Sequence, residues 1–164
     1  MEMASKSGKS MLAAGAKAPS VGLRDLDGTP VPLEQLTAEG PVLLAFYKGS
    51  CPVCQLTLPY LERARENGKL RIVCVSQDSA ADTKEFAEAF RLRMAMMTDA
   101  RSDGYPASNA FGITHVPTMF QVEPDGVVSH AWTGWSKADM ISLGERTGVE
   151  VVQAGEQVPA FRPG

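Results

Sequence analysis

Residues 42–64 have the sequence VLLAFYKGSCPVCQLTLPYLERA, and this stretch decides the fold. Its first six residues, Val42 to Tyr47, form an unbroken apolar run, which is typical of a strand buried on both faces. From Pro52 to Glu66, apolar residues recur at three- and four-residue spacing, which predicts a helix. Two cysteines, Cys51 and Cys54, therefore lie where a strand meets a helix.

The two cysteines are predicted to form a redox pair. Cys51 falls at the N-cap of the helix and Pro52 at its first position, where free backbone N–H groups and the helix dipole favour a thiolate. Cys51 is therefore the candidate nucleophile. Cys54, one turn later, is close enough to attack a mixed disulfide formed on Cys51. This chemistry needs neither a cofactor nor a metal.

Zinc binding is the structural alternative for a C-x-x-C motif, and the rest of the sequence disfavours it. A structural zinc site uses four nitrogen or sulfur ligands at compatible spacing. The sequence contains no second C-x-x-C, and its other soft ligands are Cys74, His115 and His130. Because Cys74 falls in the middle of a predicted strand, it is expected to pack in the core.

Strands and helices alternate along the rest of the chain, which predicts a parallel sheet followed by a hairpin. The predicted elements are strands at 70–76, 119–123 and 127–132 and helices at 80–91, 107–111 and 137–146. Asp25-Leu26-Asp27-Gly28 predicts an earlier hairpin turn. With 164 residues, 44% of them apolar, the chain is expected to form one domain around one core.

Several separate motifs resemble the thioredoxin superfamily, over roughly Ala18 to Gly148. Pro59 lies five residues after the second cysteine, and Thr114-His115-Val116-Pro117-Thr118 resembles the cis-proline loop of that family. Four further segments resemble its redoxin branch, namely residues 15–19, 23–28, 73–78 and 123–128. The resemblance implies an α/β, thioredoxin-like fold with a central mixed β-sheet flanked by helices and an N-terminal β-hairpin extension.

The expected domain covers residues 15–150. Residues 1–14 are expected to form a flexible N terminus, and residues 151–164 a C-terminal tail. The tail has no clear pattern, so an extra strand and a loose segment both remain open.

The resemblance also implies a substrate-binding surface. The Val116–Pro117 bond is expected to be cis and to lie against the dithiol, so that the Val116 backbone can hydrogen-bond an extended substrate. Pro52 and Val53, between the cysteines, are expected to belong to the same surface.

Lys48 and His115 are candidate modulators of the dithiol. Lys48 lies three residues before Cys51, where its charge would stabilise a thiolate. His115 lies two residues before Pro117 and would approach the sulfur atoms as a cation or proton shuttle. A solvated surface position is the alternative for both side chains.

Three positions depart from the pattern of the resembled family. Ser50 stands where thioredoxins have tryptophan, and Ala45 stands where they bury a carboxylate. Thr57 stands where some envelope members have glutamate. The proton acceptor for Cys54 therefore has no assignment from the sequence.

The leading functional hypothesis is a thiol-disulfide oxidoreductase in which Cys51 and Cys54 reduce or exchange substrate disulfides. The alternative is a peroxiredoxin-like thiol peroxidase with Cys51 as the peroxidatic cysteine. Peroxiredoxins place proline and a hydroxyl residue seven and three positions before that cysteine, where this chain has Leu44 and Lys48. A third hypothesis is a non-catalytic module that binds a client at the Pro117 groove.

The net charge and the hydropathy pattern limit the classes of binding partner and the cellular location that the sequence predicts. A formal net charge of −3 does not favour binding to nucleic acid or to an anionic membrane, which basic surfaces bind. We expect disulfide-containing protein clients, a thiol reductant system and a monomer. Residues 1–17 include no apolar stretch long enough for a secretory signal, so a cytoplasmic location is expected, or a periplasmic one if the N terminus has been trimmed.

Overall fold

A computed structural model describes residues 10–164 and contains a seven-stranded mixed sheet. Its strands are β1 (Gly22–Arg24), β2 (Pro30–Pro32), β3 (Val42–Tyr47), β4 (Arg71–Ser76), β5 (Ala95–Thr98), β6 (Thr118–Val122) and β7 (Val128–Thr133), in the spatial order β2-β1-β5-β4-β3-β6-β7. The helices are α1 (Leu33–Thr37), α2 (Pro52–Ala64), α3 (Ala80–Ala89), α4 (Pro106–Ala110) and α5 (Lys137–Thr147), with a 3-10 turn at Arg101–Asp103. Strands β3, β4 and β5 are parallel, and the other neighbours are antiparallel.

Strand β3 lies between two hydrophobic layers, and all six of its residues are buried. Because side chains alternate along a strand, Leu43, Ala45 and Tyr47 pack on one face with residues from α2 and α5. The other three residues of β3 pack on the opposite face, with residues from α1 and α4. Coverage on both faces explains why the strand appears in the sequence as an unbroken apolar run.

The predicted hairpins and the predicted strand–helix order are observed, with element ends shifted by at most two residues. Strands β1 and β2 form the N-terminal hairpin, and β1 adds it to the sheet edge through one pair, Arg24 with Thr98. The Asp25 carboxylate closes the turn by accepting from the N–H groups of Asp27 and Thr29, each at 2.9 Å.

Helix α1 and strand β5 were not predicted. Strand β5 has the sequence AMMT, which carries little β-propensity of its own. It forms a strand because it pairs in parallel with β4, from Ala95 opposite Val73 to Thr98 opposite Ser76. Helix α1 has only five residues, too few for a periodic apolar pattern.

The C-terminal segment packs against the domain and ends in a short strand. Strand β9 (Phe161–Arg162) pairs antiparallel with β8 (Trp135–Ser136), and the Trp135 indole N–H donates to the Pro159 carbonyl at 2.6 Å. The Arg63 guanidinium donates to both carboxylate oxygens of Glu156, at 2.7 and 2.8 Å. Of the two possibilities left open by the sequence, the structure therefore shows the extra strand.

The predicted flexible N terminus lies outside the described residues except for residues 10–14. Within that short stretch, the Leu12 N–H donates to the Phe111 carbonyl at 3.1 Å. Met11 and Leu12 also pack against the hydrophobic layer that contains α1 and α4. This part of the segment is therefore attached to the domain.

Candidate active site

The Cys51 side chain caps helix α2, as the sequence predicted. Its backbone is extended, with φ −86° and ψ 118°, and the Cys54 N–H donates to the Cys51 sulfur at 3.1 Å. Pro52 occupies the first turn, where its missing N–H costs nothing. Cys51 is partly exposed, whereas Cys54 is fully buried, so Cys51 is the sulfur of the pair that is accessible from solvent.

Burial separates the chemistry of the two cysteines. It raises the pKa of the Cys54 thiol, and a hydrogen bond with Cys51 raises that pKa further. The negative charges of Cys51 and Asp78 act in the same direction. Cys54 is therefore held as a thiol in the reduced protein.

The third cysteine, Cys74, lies in the core as predicted. It is fully buried in β4, and its thiol contacts the Met94 sulfur at 3.8 Å. Burial raises the pKa of the Cys74 thiol. Across residues 10–164, no group of three or more His, Cys, Asp or Glu residues is arranged to hold a metal ion.

The loop before β6 brings the predicted substrate-binding residues to the dithiol. The Val116–Pro117 bond is cis, as predicted. The Cys51 thiol donates a hydrogen bond to the Val116 carbonyl at 3.5 Å. Pro52 is exposed and Val53 half-buried in the first turn of α2, beside the same sulfur.

Lys48 and His115 line one cavity together with Val116. Lys48 is half-buried, and its carbonyl accepts from the Cys51 N–H at 3.2 Å. His115 is exposed, and its Nδ1 lies 2.9 Å from the Thr114 hydroxyl. The structure therefore places both candidate modulators next to the loop that contacts Cys51.

Sequence reasoning missed Asp78, which supports the loop before Cys51. Its carboxylate accepts from the Gly49 N–H at 2.9 Å, while the Gln55 side chain donates to the Gly49 carbonyl at 2.8 Å. A side chain at Gly49 would lie 3.1 Å from the Phe86 ring and 3.3 Å from Asp78, so the position favours glycine. Parallel strands β3 and β4 end at the same sheet edge, and that shared edge was the available signal.

Asp78 also bears on the departures from the resembled family. Ala45 and Thr57 are both fully buried and carry no carboxylate. The Thr57 hydroxyl donates to the Val53 carbonyl at 2.8 Å, so it is occupied within its own helix. The negative charge that reaches Cys54 from the surrounding protein therefore comes from Asp78, after β4.

The C-terminal segment covers the backbone of Val116. A Cβ placed on Gly164 would overlap the Val116 carbonyl, and a Cβ placed on Gly134 would overlap the Arg162 carbonyl. Residues 162–164 therefore lie against Gly134 and the backbone of Val116.

No helix between residues 10 and 164 combines the length and the apolar character needed to cross a membrane. This finding concerns only the described part of the chain.

A dithiol at the start of the helix that follows a central strand, facing a cis-proline loop, defines a thioredoxin-like redox domain. The AhpC/TSA family matches residues 14–131, and the chain belongs to this family.

The chain is similar to several relatives over most of its length. It is similar to the thiol-disulfide oxidoreductase ResA of Halalkalibacterium halodurans, with 26% identity over 137 residues, 81% of this chain and 76% of ResA. It is also similar to the methylamine utilization protein MauD of Methylobacillus flagellatus, with 26% identity over 82% of this chain and 64% of MauD.

Solved structures confirm the predicted fold. The thioredoxin domain of a thiol-disulfide oxidoreductase from Bacteroides vulgatus gives a TM-score of 0.71 at 24% identity, covering 82% of this chain and 97% of that domain. The peroxidoxin BcpB of Mycobacterium tuberculosis gives a TM-score of 0.66 at 21% identity, covering 89% of this chain and 99% of BcpB.

Proposed function

We propose that this protein is a thiol-disulfide oxidoreductase that reduces or exchanges disulfides in a protein or small-thiol substrate. The observation that carries the proposal is the unequal pair of thiols at the start of α2. Cys51 is accessible and accepts the Cys54 N–H at 3.1 Å, while burial raises the pKa of the Cys54 thiol. The similarity to ResA supports the same reaction class.

The reaction proceeds by two exchanges. The Cys51 thiolate attacks one sulfur of the substrate disulfide, so that a mixed disulfide forms and the other substrate sulfur leaves as a thiol after taking up a proton. Cys54 then loses its proton and attacks the Cys51 sulfur. This attack releases the second substrate thiol and leaves a Cys51–Cys54 disulfide, with two electrons transferred to the substrate.

Substrate binding uses the surface formed by Val116, Pro117, Pro52 and Val53. An extended peptide pairing with the Val116 backbone would place its cysteine beside Cys51, whose sulfur lies 3.5 Å from the Val116 carbonyl. Residues 162–164 cover that edge, so such a peptide reaches it only when they move aside.

The partners are a disulfide-containing client and a separate dithiol reductant that returns Cys51–Cys54 to the reduced form. The compartment sets the direction of the reaction. In a reducing cytoplasm the protein reduces clients, whereas in an oxidising periplasm its reduced form depends on delivery of electrons by the reductant.

Insulin reduction by dithiothreitol tests the proposal. The native chain and Cys74→Ala, which removes only the core cysteine, are expected to catalyse turnover. Cys51→Ser and Cys54→Ser are expected to lose it. An inactive native chain, or a Cys51→Ser variant that remains active, would contradict the proposal. Peroxide consumption by the reduced native chain, measured in parallel, checks the peroxidase alternative.

A further inference from the structure

A cavity of about 300 Å³, lined by both polar and apolar side chains, opens beside the cis-proline loop. We call it the Lys48 pocket. Its walls include Lys48, Gln77, Tyr105, Ser108, His115 and Val116. The volume lies at the lower end of the usual range for small-molecule sites, about 300–1,000 Å³, so the pocket suits one side chain or a small thiol compound.

The pocket adjoins the reactive sulfur. Lys48 and Val116 both line it, and both contact Cys51: the Lys48 carbonyl accepts from the Cys51 N–H at 3.2 Å, and the Val116 carbonyl accepts from its thiol at 3.5 Å. Consecutive Cα atoms of a peptide are about 3.8 Å apart. A group one residue away from an attacked disulfide is therefore within reach of this pocket.

The pocket presents a cation and hydrogen-bond donors. No carboxylate within residues 10–164 lies within ion-pair distance of Lys48. Gln77 uses one N–H to donate to the Ser108 hydroxyl at 2.9 Å, which leaves its second N–H for a ligand. The lining contains no acidic side chain.

Hydrogen bonds to the buried Asp99 anchor the part of the pocket wall that contains Ser108. Asp99, only 1% exposed, accepts from the Ala107 N–H at 2.9 Å and from the Ser108 N–H and hydroxyl, each at 2.6 Å. Tyr105 has a left-handed backbone, with φ 52° and ψ 50°, which a non-glycine residue adopts at a cost. Strained residues of this kind cluster at functional sites.

We propose that the Lys48 pocket binds a substrate carboxylate that lies next to the disulfide attacked by Cys51. The inference rests on the proposed function and adds a substrate class to it. The carboxylate comes either from an acidic residue adjacent to the client cysteine or from a small acidic thiol such as glutathione. In both cases Lys48 supplies the counter-charge and Gln77 a hydrogen bond. The two exchanges remain those described above.

The test compares matched disulfide substrates in single turnovers of the reduced protein. In the peptide arm, two disulfide peptides differ only by glutamate or glutamine after the cysteine. In the small-molecule arm, the disulfide of N-acetylcysteine is compared with the uncharged disulfide of N-acetylcysteine amide, which differs only in the carboxylate. The readout is the ratio of second-order rate constants for the acidic and uncharged substrates, so a change in Cys51 reactivity common to both cancels.

We expect the native chain to favour the acidic substrate about fivefold in at least one arm, as a half-exposed charge-assisted contact would give. Lys48→Gln should bring that ratio close to one. Lys69→Gln should preserve it, because Lys69 is exposed and precedes β4, at the opposite end of the strand from Asp78 and the dithiol. Added salt should weaken the preference.

The arm that shows the preference identifies the source of the carboxylate. Equal rate constants for acidic and uncharged substrates in both arms would overturn the inference, as would a preference that survives Lys48→Gln. A native chain that reduces none of the four substrates would instead overturn the proposed function on which the inference rests.

Discussion

Replacing Asp99 by alanine should destabilise the protein more than replacing any surface acidic residue by alanine. The Asp99 carboxylate is 1% exposed and accepts three hydrogen bonds, from the N–H groups of Ala107 and Ser108 and from the Ser108 hydroxyl. These N–H groups belong to the first turn of α4, so they have no partner within the helix. Tyr105, at the N-cap, provides no side-chain cap.

The magnitude follows from what the substitution leaves behind. Ala107 is fully buried and Ser108 is 4% exposed, so water cannot readily replace the lost acceptor. Leaving a buried donor unsatisfied costs about 1–3 kcal/mol. Two such N–H groups, partly offset by the removal of a buried charge, give a loss of about 3 kcal/mol. Asn keeps one carbonyl acceptor, so Asp99→Asn should cost less, about 1–2 kcal/mol.

Equilibrium unfolding in urea, with all cysteines reduced, measures both losses. The matched control is Asp103→Ala, which removes an exposed carboxylate that pairs with Arg24 at 2.8 Å. Such a surface pair contributes less than about 1 kcal/mol. An Asp99→Ala loss no larger than that of Asp103→Ala would refute the role given to Asp99.

Three further predictions concern charge and the C-terminal segment. Asp78→Asn should lower the pKa of Cys54, because the substitution removes a nearby negative charge. In a background where Cys51 and Cys74 have been replaced, alkylation of Cys54 at mildly alkaline pH should therefore become faster. Hydrogen bonds from Arg63 lower the pKa of Glu156 to about 2, from an ordinary value of 4.5. The ionised Glu156 therefore contributes fully to stability above about pH 4.5, and this contribution is lost as the pH falls toward about 2. The difference in melting temperature between the native chain and Glu156→Gln should accordingly shrink between about pH 5 and about pH 2.5. Deleting Pro163 and Gly164 should raise kcat/KM for peptide disulfides by about twofold to fivefold, because the peptide no longer has to displace these two residues. The effect on small disulfides should be smaller. Equal kinetics with and without the two residues would show that they do not compete with substrate.

The sequence was most informative where local chemistry determines structure. An apolar run, a cysteine before proline and helical spacing placed Cys51 at the N-cap of α2, and the structure agrees. The Asp25–Gly28 turn likewise predicted the first hairpin, because a turn depends on a few adjacent residues. The cis bond before Pro117 was predicted from the resemblance to the thioredoxin superfamily, because cysteine spacing alone does not predict it.

The features that the sequence did not predict depend on contacts between distant residues. Strand β5 needs β4 beside it, and Asp78 acts on Gly49 across 29 residues of chain. Asp99 has its role only because α4 begins over its carboxylate. Trp135 and Pro159 join the C-terminal segment to the domain by a contact that no local pattern encodes. Such pairings become visible only when the chain is folded.

The central claim, that Cys51 attacks and Cys54 resolves, is tested most directly by trapping the mixed disulfide. Reduced Cys54→Ser protein, mixed with insulin and examined by intact mass under acidic quench, should carry an insulin chain on Cys51 that dithiothreitol releases. The native chain should show little of this adduct, because Cys54 resolves it. A Cys54→Ser protein without the adduct, or an adduct of equal yield when Cys51 is also replaced, would contradict the account.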